Sequence, residues 1–146
     1  MDKLHIRQAV IEDVPRLSEL EQTANFGFAP RITDTWHKSL DGQEQTYVVE
    51  YDNEVIGYGI FAPVLDKMHI VEVVVDPNHR GKKIGQGIVN HALSISKESW
   101  CEVEVTNFAS QNMFKACGFY SHSYVKKYYY NGSDAVMMVS EGWQSG

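Results

Sequence analysis

Between residues 68 and 95 the chain changes its periodicity across a short loop of glycines and basic residues. Met68 to Val75 is a valine-rich run of strand type that stops at Asp76-Pro77. Asn78-His79-Arg80-Gly81-Lys82-Lys83-Ile84-Gly85 follows, and Ile84, Ile88, Val89, Ala92, Leu93 and Ile95 then recur at helical spacing. A strand, a tight turn and a helix therefore occur in sequence, with the turn opening the helix. The first N–H groups of a helix lack intrahelical partners, and the helix dipole adds positive charge there, so such a junction can hold phosphate. Gly81 and Gly85 let the backbone come close to a ligand. Arg80, Lys82 and Lys83 put three positive charges into four residues of a chain whose net charge is −6. Read in isolation, the same loop also fits ordinary solvated lysines. It is not a Walker loop, since no G-x-x-x-x-G-K-[ST] occurs, and no G-x-G-x-x-G follows the first strand.

The rest of the chain supplies a mixed set of elements. Leu4 to Ala9 alternates as a first strand. Asp13 can cap a helix with Pro15 in its first turn and Leu17 and Leu20 on its apolar stripe. Asn25 to Pro30 is loop-like, and Asp34 can cap a short second helix containing Trp36 and Leu40. Gln45 to Tyr51 and Val55 to Ala62 flank Asp52-Asn53-Glu54 as a hairpin. Cys101 to Val105 is a strand, and Ser110 to Cys117 a short helix stopped by Gly118. Tyr124 to Tyr130 and Ala135 to Ser140 form a closing hairpin around Asn131-Gly132. The order β-α-α-β-β-β-α-β-α-β-β is that of one mixed α/β domain over residues 1–146.

Charge and composition narrow the function classes. Nineteen acidic residues against thirteen basic ones disfavour a nucleic-acid binder, whose affinity comes from neutralising phosphates, and suit a cationic or amine-bearing partner. The two cysteines, Cys101 and Cys117, cannot form a disulfide framework and lack metal-ligand spacing, so no metal is expected. The apolar run Val55 to Leu65 is broken by Gly57, Gly59 and Pro63 and falls short of the roughly 20 residues of a membrane span. Met1 to Arg7 alternates and carries charge, unlike a signal peptide. A cytoplasmic protein, monomeric or homodimeric, with no nucleic-acid or membrane partner, is expected.

Three motifs in order carry a resemblance. The run Val73 to Gly85 resembles the acetyl-CoA signature of the GNAT N-acetyltransferase superfamily, [Q/R]-x-x-G-x-[G/A] after a strand ending near V-x-P. Asn107 to Phe119 is similar to the second signature, N-x-x-A-x-x-l-Y-x-k-x-G-F. Lys127 to Met138 is similar to the Y-Y-x(n)-D-A-x-x-M ending of the RimI-like and Ard1-like amino-terminal protein acetyltransferases. The resemblance implies a central, mostly antiparallel sheet of about six or seven strands, splayed at the acetyl-CoA site and flanked by about four helices. It implies transfer of an acetyl group from acetyl-CoA to a primary amine by direct attack, through a tetrahedral oxyanion. The acceptor is then a protein N-terminus or, alternatively, a small amine such as a polyamine or amino sugar. A non-catalytic acyl-CoA-binding module is a further alternative.

The resemblance also implies roles residue by residue. Val73, Val74 and Val75 form the strand edge that pairs with the pantetheine arm, with the N–H of Val74 or Val75 facing the oxyanion. Arg80, Gly81, Lys82, Lys83, Ile84, Gly85 and Gln86 hold the pyrophosphate, and Asn107 and Phe114 contact the cofactor. Glu102 is the first choice for the group that takes the amine proton, through water, with His69 as the second and Glu72 weaker because strand alternation sets it opposite His69. Phe28, Tyr128 and Tyr129 contact the acceptor, whose entrance is the loop Asn25 to Thr33 with the closing hairpin. Two residues depart from the pattern. Lys83 stands where the first glycine is usual, and Phe114 stands where a tyrosine usually protonates the departing thiolate. A coenzyme A thiolate, with a thiol pKa near or somewhat above the ~8.5 of cysteine, leaves tolerably without that acid. Deprotonating an α-amine of pKa roughly 7.7–8.0 at neutral pH costs roughly 1 kcal/mol, against about 4–5 kcal/mol for a lysine near 10.4. A modest base therefore fits an amino terminus better than a lysine.

Overall fold

The computed structural model describes residues 4–24, 35–36, 40 and 42–144. The whole acceptor loop from Asn25 to Thr33, Phe28 included, and most of the helix expected after Asp34 lie outside the described residues. Seven strands form one sheet: β1 (Leu4–Gln8), β2 (Gln45–Tyr51), β3 (Glu54–Val64), β4 (Lys67–Val75), β5 (Ser99–Glu104), β6 (Tyr120–Val125) and β7 (Ala135–Val139). Their order is β1-β2-β3-β4-β5-β7-β6, and every neighbouring pair is antiparallel except β4 with β5. Three α-helices are present among the described residues: α1 (Val14–Gln22), α2 (Ile84–Ile95) and α3 (Phe108–Ala116).

The helices cover opposite faces of the sheet, and strand alternation sorts the core accordingly. On one face Val14, Leu17 and Leu20 of α1 pack with Trp36, Val48, Tyr58, Ile60 and Val74. Trp36 is fully buried, edge-on to Tyr58 with ring centroids 5.5 Å apart. On the other face Ile84, Ile88, Val89 and Ala92 of α2 and Phe114 of α3 pack with Ile56, Phe61, Ile70, Cys101, Val103 and Met138. The helical spacing read from 84 to 95 is thus the buried stripe of α2.

The closing hairpin is displaced from its expected position. Its first strand is Tyr120–Val125, and Tyr128–Tyr130 lie in the connection to β7. Gly132, with φ of 86°, donates its N–H to the Tyr129 carbonyl in that connection. β6 is an edge strand, largely exposed, so its sequence YSHSYV lacks an apolar face to mark it. The tyrosine run imitates strand propensity without forming a strand. β5 begins at Ser99, two residues earlier than its apolar alternation indicates, because Ser99 is held by backbone and hydroxyl bonds with Ser140.

Candidate active site

The site begins where the one parallel pair of strands comes apart. β4 and β5 pair only at Met68 with Ser99 and at His69 with Trp100. Beyond that point β4 stays bonded to β3 as far as Val75, and β5 to β7 as far as Glu104, so two strand edges face an open gap. The register tells which backbone groups point into it. Asp76 N–H donates to Ile56 O at 2.8 Å, and opposite pairs in an antiparallel ladder alternate between bonded and non-bonded. Val74, opposite Tyr58, is therefore bonded to β3, while Val73 and Val75, opposite Gly59 and Gly57, turn their N–H and C=O to the gap. This corrects the expectation for Val74: its N–H is spent inside the sheet and its side chain is buried beneath α1.

The loop after β4 is fixed from its base. Asp76 accepts from Asn78 N–H at 3.0 Å and from Arg16 Nη2 at 2.7 Å, and Arg16 Nε also donates to Val55 O. The bond from Asn78, with Arg16 beside it, holds the Asp76 carboxyl below the usual carboxylate range despite burial. Gly81 has φ of 83° and open space around its Cβ position. Lys83 takes φ of 63° as the residue before α2, a left-handed conformation usual for glycine. Gly87 N–H bonds to Lys83 O, so Ile84, Gly85 and Gln86 are the first-turn residues whose N–H groups have no acceptor within the helix. Arg80, Lys82 and Lys83 are exposed and form no ion pair among the described residues. Ile84 itself is buried, so its part in such a site is its backbone N–H. Gly85 lacks a side chain for a different reason from the one expected: a Cβ there would lie 2.6 Å from Met113 Sδ of α3. Its absence lets the two helices meet.

The second signature is partly structural. Asn107 Oδ1 accepts from Ser110 N–H and caps α3, leaving its amide nitrogen with no partner among the described residues. Phe114 is 5% exposed and lies edge-on to Phe119, so it is packed in the core and brings no polar atom to the gap.

Side chains of a different kind gather on the α1 side of the sheet. Cys101 and Val103 point to α2, where burial raises the Cys101 thiol well above its ordinary value. Glu102 and Trp100 point the other way. Glu102 Oε1 lies 2.7 Å from His69 Nε2, with the two side chains 14% and 23% exposed. Trp100 Nε1 donates to Glu102 Oε2 at 3.2 Å, Tyr128 Oη to Oε1 at 3.4 Å, and Tyr129 Oη to the Glu102 carbonyl at 3.3 Å. Burial, reinforced by Glu102, pushes the Tyr128 phenol up to about 12 and raises that of Tyr129 further, so both keep their protons at neutral pH. Glu104 accepts from the N–H and hydroxyl of Thr106, which holds its carboxyl low and fixes it to the turn.

The structure thus joins His69, Glu102, Tyr128 and Tyr129, four residues singled out from the sequence. It adds two. Trp100 belongs to the cluster and follows from extending the Glu102 alternation two residues back. Glu72 lies on the same face as His69, against the expected parity, because a bulge at Val71 shifts the β4 register from Phe61–Ile70 to Ile60–Glu72. There its Oε2 accepts from the Tyr58 hydroxyl at 2.8 Å.

The chain is similar to known proteins in sequence and in fold. A family profile described as "Acetyltransferase (GNAT) family" matches residues 11–119. The putative [ribosomal protein bS18]-alanine N-acetyltransferase of Bacillus subtilis is 29% identical over 144 residues, covering 93% of this chain and 94% of that protein. An N-alpha-acetyltransferase of Sulfolobus acidocaldarius is 25% identical over 153 residues, covering 92% and 90%. The fold is similar to that of the ribosomal-protein-S18-alanine N-acetyltransferase from Escherichia coli, with a TM-score of 0.82 and 21% identity over 98% of this chain and 96% of that one.

Proposed function

The chain belongs to the GNAT acetyltransferase family, and from that premise we propose that it acetylates the α-amino group of a protein N-terminus. As a member it is an N-acetyltransferase, and acetyl-CoA supplies the acetyl group as a thioester. The chain's own residues fit that molecule. The free N–H and C=O groups of Val73 and Val75 can pair with an extended amide-bearing arm. The open turn at Gly81 and the first N–H groups of α2 suit a pyrophosphate, with Arg80, Lys82 and Lys83 adding charge-assisted bonds. Asn107 can offer its free amide donors from the start of α3.

The observation that carries the acceptor reading is the 2.7 Å contact between His69 Nε2 and Glu102 Oε1 beside the parted strands. This pair accepts the amine's proton, directly or through one water, and the imidazole shares the charge. Such a base suits an α-amine, whose deprotonation is the smaller task. Tyr128 and Tyr129, with Glu72 across the gap held from beneath by the buried Tyr58 hydroxyl, line the acceptor side. The names borne by the bacterial and archaeal relatives support the same class of acceptor. No helix among the described residues is long and apolar enough to cross a membrane, and we place the protein in the cytoplasm, as monomer or homodimer.

The test is thiol release with acetyl-CoA and three acceptor panels: peptides with free N-termini, N-terminally blocked lysine peptides, and polyamines. Mass spectrometry locates the acetyl group. Turnover confined to free N-termini is the expected result. Turnover with polyamines alone would overturn the acceptor assignment while leaving the family intact.

A further inference from the structure

The His69–Glu102 pair is held by a third residue. Trp100 stands directly opposite His69 in the short parallel ladder and two residues before Glu102 on the same face of β5. Its indole lies flat on the His69 imidazole, with centroids 4.7 Å apart and planes 11° from parallel. Its Nε1–H donates to Glu102 Oε2, the oxygen His69 does not use. Among the described residues it is the partner of that oxygen. Tyr128 reaches Oε1 and Tyr129 the backbone carbonyl, so neither can stand in for it.

We propose that Trp100 is the positioning residue of this pair and that Trp143, near the end of the chain, braces it. Trp143 packs edge-on to Trp100 at 5.9 Å and 70°. It is fixed in turn: Lys67 Nζ lies 5.1 Å over its ring, and His122 stands on another side at 6.3 Å. The adjacent Gln144 N–H donates to Glu98 Oε1, which also pairs with Lys67 at 3.1 Å. A glutamate on a strand is free about several bonds, and a base works best when its lone pair is already aimed. One indole meets that need twice, by stacking on the imidazole and by bonding the carboxylate. It thereby ties a residue of β4 to a residue of β5 at the point where the strands part. Among the described residues the titratable groups bonded to Glu102 are His69 from β4 and Tyr128 and Tyr129 from the β6–β7 connection, and Glu72 of β4 stands on the same face, bonded to Tyr58. Both phenols stay protonated at neutral pH, and the acceptor amine is the same for every variant, so a difference in pH profile between variants reports on the enzyme's remaining groups.

The inference rests on Glu102 and His69 being the proton-handling pair, and the experiment separates the two. The full chain and the variants Trp100→Leu, Trp100→Phe, Trp143→Ala and Glu102→Gln are compared by the pH dependence of kcat/KM for a peptide acceptor with a free N-terminus and by KM for acetyl-CoA. Removing a donor from a carboxylate raises its pKa, so the acid limb should move to higher pH. In Trp100→Leu we expect a loss of about tenfold and a limb shifted up by about one unit, the effect of one charge-assisted hydrogen bond. KM for acetyl-CoA should stay within about twofold, since the loop lies elsewhere. Trp100→Phe keeps the stack without the N–H and should recover part of the rate while retaining the shifted limb. It also decides the matter if the leucine variant fails to fold. Trp143→Ala should move the limb in the same direction by less. An unmoved limb in Trp100→Phe, or a rise in KM for acetyl-CoA matching the loss of rate, overturns the positioning role. Wild-type turnover in Glu102→Gln overturns the reading of the pair itself, and this proposal with it.

Discussion

The loop after β4 and the His69–Glu102 cluster border the same gap but are made of different things. The loop is built from backbone: consecutive residues, two positive φ angles and the opening turn of one helix. Its basic side chains Arg80, Lys82 and Lys83 are exposed and unpaired among the described residues. The cluster is built from side chains that meet from β4, β5 and the β6–β7 connection, half-buried and bonded to one another. The loop can tolerate the loss of a single side chain because its donors are mostly N–H groups. The cluster cannot, because each member is positioned by the others. Binding should therefore fail by degrees and chemistry in one step.

Glu102→Gln should break the cluster most severely. We expect kcat to fall by about 10²–10³-fold, with the rise in Tm on adding acetyl-CoA unchanged. A variant that kept kcat and lost the Tm rise would reverse the division. Charge reversal at Arg80 and Lys82 together is the matching test of the loop. KM for acetyl-CoA should rise by about tenfold or more, with kcat at saturation nearly retained and the defect reduced at high salt. Equal losses in kcat would mean that the loop also orders the cluster.

Smaller effects should fall on stability. Gly85→Ala places a methyl group against Met113 Sδ, the end of a flexible side chain, and should lower stability by about 1–2 kcal/mol, read as a fall in Tm. A fall in acetyl-CoA affinity without one in Tm would show that Gly85 serves the ligand instead. Lys83→Gly removes a strained left-handed lysine at the price of extra chain entropy in the unfolded state, for a net gain of about 0.5 kcal/mol in chemical denaturation. Acetyl-CoA affinity should drop slightly with the lost charge. A lower denaturation midpoint would mean that the Lys83 stem supports the loop.

The same division explains what could be read in the sequence. The loop and α2 were legible because strand, turn and helix follow one another, and Ile84 to Ile95 repeats at the helical period. Glu102 and His69 were legible through the family resemblance, while their contact joins positions 33 residues apart across two strands. The bulge at Val71 was not legible, since it exists only in the register between β3 and β4, and it carried Glu72 to the other face. Trp100 was missed because β5 starts on Ser99, which shows no apolar alternation. The edge strand β6 was misplaced because a strand with both faces in water has no pattern to display. Phe28 and the loop around it lie outside the described residues.

The parting of β4 from β5 also divides the sheet in chain order. Among the described residues β1 to β4 pair antiparallel in chain order, β5, β7 and β6 form a second antiparallel group with β7 in its middle, and only two residue pairs of the sheet ladder join the two. His69 belongs to the first half and Glu102 to the second. Neither half holds both members of the proposed proton-handling pair, so the mechanism proposed above needs the two halves closed on one another. Under that proposal, turnover doubles as a report of this closure.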